Sequence, residues 1–448
     1  MVVTYIWQPV ARQLRASRFL HGVVMLAGGT ALGQALAILA SPIITRLYSP
    51  EDLGVLSIFV SILSVLAVIA TLRYELAIPL PKDDERAGEL LFVSLIAALI
   101  VPLLAAALLG FLGDRLVSWT NTPDLRRFLW LIPVGLLASG LHQALLYWAI
   151  RKRAYSRLAR TRLARSASTT IVQVGLGLTS IGAIGLVLGE VVGRLSGTLT
   201  LARLALSPGE TRARWTTLRG TFDAAIAHYR FPLLSSGSAI LNAAGLHLPP
   251  VMLAVGYGPH IAGLFALAQR VIDAPTRMVG TAVADVYIAE AATLARTDPK
   301  RLRWLFAATS TRLALSGGIP IAAGGLASPW IFGLVFGSGW REAGVYVQLL
   351  SLYYASRFVV VPLSQTLNIL NRQDLQFLWD TMRLLLAAAS LLGGAWLGWP
   401  ATMTIGLFGV ASCLAYSGLF ALSAREVARA AQPEEAQSAP ESRQATIG

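Results

Sequence analysis

Residues 48–54 read Tyr-Ser-Pro-Glu-Asp-Leu-Gly, and residues 257–263 read Tyr-Gly-Pro-His-Ile-Ala-Gly. Both fit Y-x-P-x-x-x-G, with Tyr48, Pro50 and Gly54 matched by Tyr257, Pro259 and Gly263 at an offset of 209 positions. Each follows an apolar stretch rich in small residues and proline, with Gly28, Gly29, Gly33 and Pro42 before the first and Pro232, Gly237, Gly245, Pro249 and Pro250 before the second. One short match between turn residues carries little weight by itself. Its position gives it weight, because it divides the chain into halves with equal numbers of apolar stretches.

Those stretches are each long enough to cross a bilayer as a helix, for which about 17–25 residues suffice. They fall at 22–45, 53–73, 87–112, 125–149, 163–182, 184–205, 232–255, 261–290, 304–327, 343–368, 375–397 and 401–423. The bilayer admits only helices or closed barrels, and segments of this length are helices. The reading is an all-α polytopic membrane protein of about 12 transmembrane helices in two six-helix lobes. Six is even, so both halves share an orientation and relate through an axis along the membrane normal, the parallel repeat of many transporters. The expected divisions are an N-terminal segment 1–21, an N-lobe 22–206, a cytoplasmic inter-lobe linker 207–228, a C-lobe 229–423 and a disordered cytoplasmic tail 424–448. The longest polar connectors read as Arg151–Arg162 and Ser207–His228. A cleavable signal is set aside although Ala35-Leu36-Ala37 resembles its cleavage site, because the first apolar stretch exceeds a signal's usual length and the repeat needs it intact.

Composition agrees. Of 448 residues, 55% are hydrophobic and 13% charged, against roughly 25% charged in soluble domains. The net charge of +14 suggests nucleic acid only until the basic residues are located. They concentrate in alternate loops, most densely at Arg151, Lys152, Arg153, Arg157, Arg160, Arg162 and Arg165, which places both termini in the cytoplasm and removes nucleic acid as a partner. A single cysteine, Cys413, excludes an intramolecular disulfide, and five scattered histidines show no metal-ligand spacing. There is no Walker A motif, no dinucleotide fingerprint and no G-x-S-x-G elbow. No connector is long enough for an extramembrane catalytic domain, so the chain reads as a non-enzyme.

Ionisable residues inside spans are costly and are functional candidates by default. Arg194, Arg270, Asp273, Arg277, Asp285, Arg312, Arg357, Asp380, Arg383 and Glu190 qualify. Arg270, Asp273 and Arg277 share one face of a helix, where Asp273 can partly neutralise its neighbours. Glu190–Arg194 and Asp380–Arg383 are spaced as structural pairs or as functional groups alike. Arg73 and Glu75, two apart, would not face each other on a helix and read as interfacial anchors. His142 and His247 read as buried, hydrogen-bonded side chains. Arg312 and Arg357 have no acid three or four residues away, and with Arg270, Arg194 and Arg277 they are expected to line a cationic lumen. A guanidinium fork suits phosphate or carboxylate, which implies an anionic cargo. Asp273, Asp285, Asp380 and Glu190 are the candidates for coupling to a proton or sodium gradient; no other cofactor is implied.

The strings Ser41-Pro-Ile-Ile-Thr-Arg-Leu-Tyr-Ser-Pro-Glu-Asp-Leu-Gly54, Leu72-Arg-Tyr-Glu-Leu-Ala-Ile78, Tyr229-Arg-Phe-Pro232, Gly263-Leu-Phe-Ala-Leu-Ala-Gln-Arg-Val271 and Phe336-Gly-Ser-Gly-Trp-Arg-Glu-Ala-Gly344 resemble, in order and spacing, Wzx-type polysaccharide flippases. These belong to the multidrug/oligosaccharidyl-lipid/polysaccharide superfamily, and the resemblance runs to about residue 423. It implies a two-lobed bundle in a bacterial inner membrane that moves undecaprenyl-pyrophosphate-linked oligosaccharide by alternating access, for O-antigen, exopolysaccharide or capsule. It also implies contact with membrane lipids and with the polymerase and chain-length regulator of such a pathway. An ion-coupled multidrug exporter and a membrane polysaccharide polymerase stand as alternatives.

Overall fold

The computed structural model describes residues 18–205, 218–229 and 231–432. The segments 1–17, 206–217 and 433–448, and with them most of the linker and tail expectations, lie outside the described residues, as do the side chains of Arg277 and Asp285. The described chain is helical and has no strand. The first half contains α1 (Arg18–Leu39), α2 (Ser41–Leu47), α3 (Pro50–Ala67), α4 (Asp84–Trp119), α5 (Leu131–Arg151), α6 (Tyr155–Gly177) and α7 (Ala183–Ala205). A short helix α8 (Leu218–Ala227) leads into α9 (Ser236–His247), α10 (Pro249–Thr297), α11 (Pro299–Leu313), α12 (Ile319–Phe336), α13 (Arg341–Val360), α14 (Gln365–Ile369), α15 (Gln373–Trp396) and α16 (Ala401–Ala430).

Every expected apolar stretch is mainly helical, and among the described residues ten helical segments are long and apolar enough to cross a membrane. Two local features separate ten from twelve. The helix α6 begins at Tyr155 and carries Arg157, Arg160, Arg162 and Arg165, so two-thirds of the expected connector Arg151–Arg162 is helix, too polar to register as a span. Stretches seven and eight merge into one candidate span, bent at Leu248 between α9 and α10 and broken at Gly258, where φ is 82°. Two further boundaries differ from the sequence reading. Residues 218–227 of the expected linker are helical, and α16 continues through Ala430 into the expected tail, since Ala, Arg and Glu are good helix formers.

Local chemistry explains the turns at the repeat. Ser49 caps α3 in a capping box with Asp52: the Asp52 amide donates to Ser49 Oγ at 3.3 Å and the Ser49 amide to Asp52 Oδ2 at 3.0 Å. Pro50 occupies the first turn, where no amide is needed. Beyond the end of this helix at Ala67, Leu72 and Arg73 adopt positive φ, 50° and 64°, which turns the chain and brings Arg73 to Glu75 at 3.6 Å. The expectation that these two would not meet assumed continuous helix. Glu75 is instead buried and accepts from Thr71.

The two motifs pack against one another across the lobe boundary. A Cβ on Gly54 would collide with the Pro259 carbonyl oxygen, and one on Gly263 with that of Pro50. In lipid, helix association relies on such close backbone approach rather than on hydrophobic exclusion. The tyrosines are equivalent too: Tyr48 donates to the Gln173 carbonyl at 2.6 Å and Tyr257 to the Trp399 carbonyl at 2.9 Å, each tying its turn to the last helix pair of its own lobe. Elsewhere α10 packs along α3 and against α1, and Trp340 Nε1 donates to the Thr45 carbonyl at 2.9 Å. Trp119, Trp130, Trp330 and Trp396 are exposed at helix ends on the Pro50 side of the bundle, the pattern of an interfacial aromatic belt.

Candidate functional site

Behind the Gly54–Gly263 junction lies a cavity of about 240 Å³ between the lobes. The N-lobe lines it with Leu53, Ser57 and Ser61 of α3, Thr169 and Gln173 of α6 and Glu190 of α7; the C-lobe supplies His247, Gln269 and Arg270. Spacing explains the α6 contribution: Arg165, Thr169 and Gln173 recur every four residues and share a face. A second cavity of about 80 Å³ lies within the N-lobe, lined by Ser139, His142, Gln143, Arg165 and Arg194. His142 Nδ1 and Gln173 Oε1, one in each cavity, are buried without a hydrogen-bond partner among the described residues.

Glu190 stands between the cavities. Arg194 Nε donates to Glu190 Oε1 at 2.7 Å and Arg165 Nη2 to the same oxygen at 3.4 Å, while Arg270 approaches from the C-lobe within electrostatic reach. Arg194 is also held by Ser139 Oγ at 2.8 Å. Arg270 has one hydrogen bond, to the Ala37 carbonyl at 3.3 Å. Two guanidinium groups thus bond one carboxylate and a third stands in its field, leaving a net +2 in a site where Arg194 and Glu190 are mostly buried and Arg165 is 39% exposed. Little else neutralises it, and a dianionic group is the complementary ligand.

The other sequence candidates lie apart from this cluster. Asp273 binds Arg357 at 2.6 Å, a side chain on α13, with both groups about one-tenth exposed, so it is not the partner of Arg270. Arg357 also lies over the Tyr354 ring and is neutralised rather than open to a lumen. Sequence spacing sees partners on one helix and cannot see this one. Asp380 pairs with Arg383 at 3.4 Å, and Arg383 stacks on Trp379 with its centre 5.0 Å from the ring. Arg312 is exposed, without an ion pair among the described residues, on the helix face that also exposes Trp304 and Leu315, and it lines neither cavity. Arg165 was the residue missed: it belongs to the basic block read as a topology signal. Removing one partner of a buried pair costs roughly 3–5 kcal/mol, so Asp273→Asn should lower the thermal midpoint in detergent far more than Arg270→Gln does. Equal midpoints would contradict the division into a structural pair and an open arginine.

An all-helical bundle with a polar cavity behind the junction of two equivalent turns is a fold shared with solved membrane transporters. The chain belongs to the polysaccharide biosynthesis protein family, whose profile matches residues 43–345, in agreement with the resemblance to Wzx-type flippases. It is 24% identical over 362 residues to the succinoglycan biosynthesis transport protein ExoT of Rhizobium meliloti (strain 1021), covering 79% of this chain and 70% of that protein. Among solved structures it shares its fold with the lipid II flippase MurJ in an inward closed conformation, at a TM-score of 0.71 and 11% identity over 91% of this chain and 90% of that one. A multidrug resistance MATE family transporter in an inward-facing conformation gives a TM-score of 0.70 and 15% identity over 91% and 96%. A superfamily transporter from Pyrococcus furiosus gives 0.61 and 13% over 94% and 98%. The protein is a multi-pass membrane transporter of polysaccharide biosynthesis.

Proposed function

We propose that this protein flips undecaprenyl-pyrophosphate-linked oligosaccharide from the cytoplasmic to the periplasmic leaflet of a bacterial inner membrane. In this reading the chain crosses twelve times with both termini in the cytoplasm, α6 supplying the polar crossing and Gly258 separating crossings seven and eight. The lobes, 22–206 and 229–423, rock about the cavity as rigid halves. The observation that carries the reading is the convergence of Arg165, Arg194 and Arg270 on Glu190. Its surplus of two positive charges matches the pyrophosphate of a lipid-linked sugar, while the prenyl chain stays in lipid. A carrier of cationic drugs would place acids and aromatic faces there instead, so the shared fold with multidrug transporters does not decide the cargo. Cargo and Glu190 compete for the same arginines: an arriving pyrophosphate displaces the carboxylate, and its departure lets the carboxylate return. A polymerase and a chain-length regulator of the same pathway would take up the product outside.

Arg270→Gln tests this. Removing one partner of a desolvated charge pair costs about 2–5 kcal/mol, which corresponds to a rate lowered ~30-fold or more. Cells carrying the variant should accumulate unpolymerised lipid-linked repeat units on the cytoplasmic leaflet. Normal surface polymer at normal protein level would remove Arg270 from the cargo site.

A further inference from the structure

Beyond the Gly54–Gly263 contact, one charged pair bridges the two repeat turns. Glu51 follows Pro50 and His260 follows Pro259, so they occupy equivalent positions 209 residues apart. The two are in contact, with His260 Nδ1 2.6 Å from Glu51 Oε1 and both side chains about half exposed. The internal two-fold therefore brings an acid and a base of unlike type onto one point at the mouth of the bundle.

We infer that Glu51 and His260 form a proton-sensitive latch on the periplasmic mouth, holding it shut when His260 is protonated and releasing it when His260 is neutral. The sidedness and the alternation rest on the proposed flippase reading.

On α3, Asp52 is engaged by the Ser49 amide and lies beside Gly182. The outer turn 123–128 also packs on α3 and carries Asp124, Arg126 and Arg127, of which Arg126 pairs with Asp114 at 3.1 Å. Arg46 of α2 and Arg341 of α13 are exposed and make no ion pair among the described residues, and Glu342 of α13 accepts from the Tyr346 hydroxyl. The turns 178–182 and 397–400, which lead into α7 and α16, contain no acid or base. Both members reach solvent, so protons exchange freely from the outer face. Histidine is the side chain whose charge changes between about pH 5 and 8, while a carboxylate remains charged over most of that range. Falling pH thus converts a hydrogen bond into an ion pair and favours the shut mouth. The side of the membrane kept acidic by an outward proton gradient is the side on which the emptied carrier must close to return. The latch would bias the resetting step without carrying a proton across.

Half-exposed pairs are weak, so the expected change is about two- to fivefold in the ratio of shut to open mouths. It is read as the distance distribution between spin labels at Thr179→Cys and Leu397→Cys, in turns of opposite lobes, with Cys413→Ala to remove the native thiol. The full-length protein is reconstituted without cargo. Wild type should shift towards the short distance as pH falls from about 8 to about 5.5. His260→Gln should abolish that shift. The two-fold supplies the decisive control, because Glu51→His combined with His260→Glu rebuilds the pair with its members exchanged and should recover it. A wild type that does not respond, a response persisting in His260→Gln, or one not recovered by the exchange overturns the latch. The readout needs no cargo, so it survives if the cargo is something other than a lipid pyrophosphate, whereas the Arg270→Gln assay does not.

Discussion

Gly54→Ala and Gly263→Ala are each expected to slow transport at least ~10-fold without lowering the amount of protein in the membrane. At both positions the added methyl meets a backbone carbonyl of the other lobe, Pro259 for Gly54 and Pro50 for Gly263. A flexible side chain could swing away; a carbonyl in the first turn of a proline-started helix cannot. Overpacking of this kind costs about 1–3 kcal/mol, and here it falls on the state in which the lobes touch, because parting them relieves it. The carrier should therefore rest with its Pro50 mouth open. An impermeant maleimide added from outside should label Ser57→Cys, which lines the cavity, several times faster in these variants than in an otherwise unchanged chain. Gly393→Ala is the control, since nothing lies within 4 Å of the added methyl, and it should transport normally. Equal labelling in all of them would mean that the glycine contact is a passive packing detail.

The equivalence of these glycines was legible in the sequence, because Y-x-P-x-x-x-G occurs twice at a constant offset, whereas their contact was not. The helices were legible for the same kind of reason: a bilayer-length apolar run has few alternatives. Charge partners were not. Arg194 and Glu190 are four apart on one helix and could be paired by inspection, but Arg357 and Asp273 are joined across α10 and α13, and only tertiary structure relates them. Arg165 was hidden by its company. It closes a run of basic residues whose bulk reads as a cytoplasmic loop, yet α6 carries that run into the bundle as helix. The stripe Arg165, Thr169, Gln173 held the missing signal, since four-residue spacing of polar groups entering an apolar stretch marks a helix face turned from lipid.

Glu190→Gln is the substitution with the largest expected effect on the cluster, and its response to anions separates a binding site from a structural salt bridge. Glutamine keeps the shape and one acceptor for Arg194, so packing is preserved and the charge alone is lost. Arg165, Arg194 and Arg270 are then left close to one another with no counter-charge, at a cost of about 3–5 kcal/mol, or on the order of 3–5 °C in thermal midpoint for a chain of this length. A bound anion stabilises a folded chain as the logarithm of its concentration over its dissociation constant. Pyrophosphate spans more of the three guanidinium groups than orthophosphate can. Millimolar pyrophosphate should thus restore most of the lost midpoint in Glu190→Gln, orthophosphate less, and wild type should gain less than the variant because Glu190 already offsets one of the three positive charges. Asp273→Asn provides the contrast: it also strips a carboxylate from a buried arginine, but Arg357 lines neither cavity and pyrophosphate should not rescue it. If pyrophosphate raised both variants equally, or neither, the cluster around Glu190 would hold the helices together without receiving a cargo phosphate.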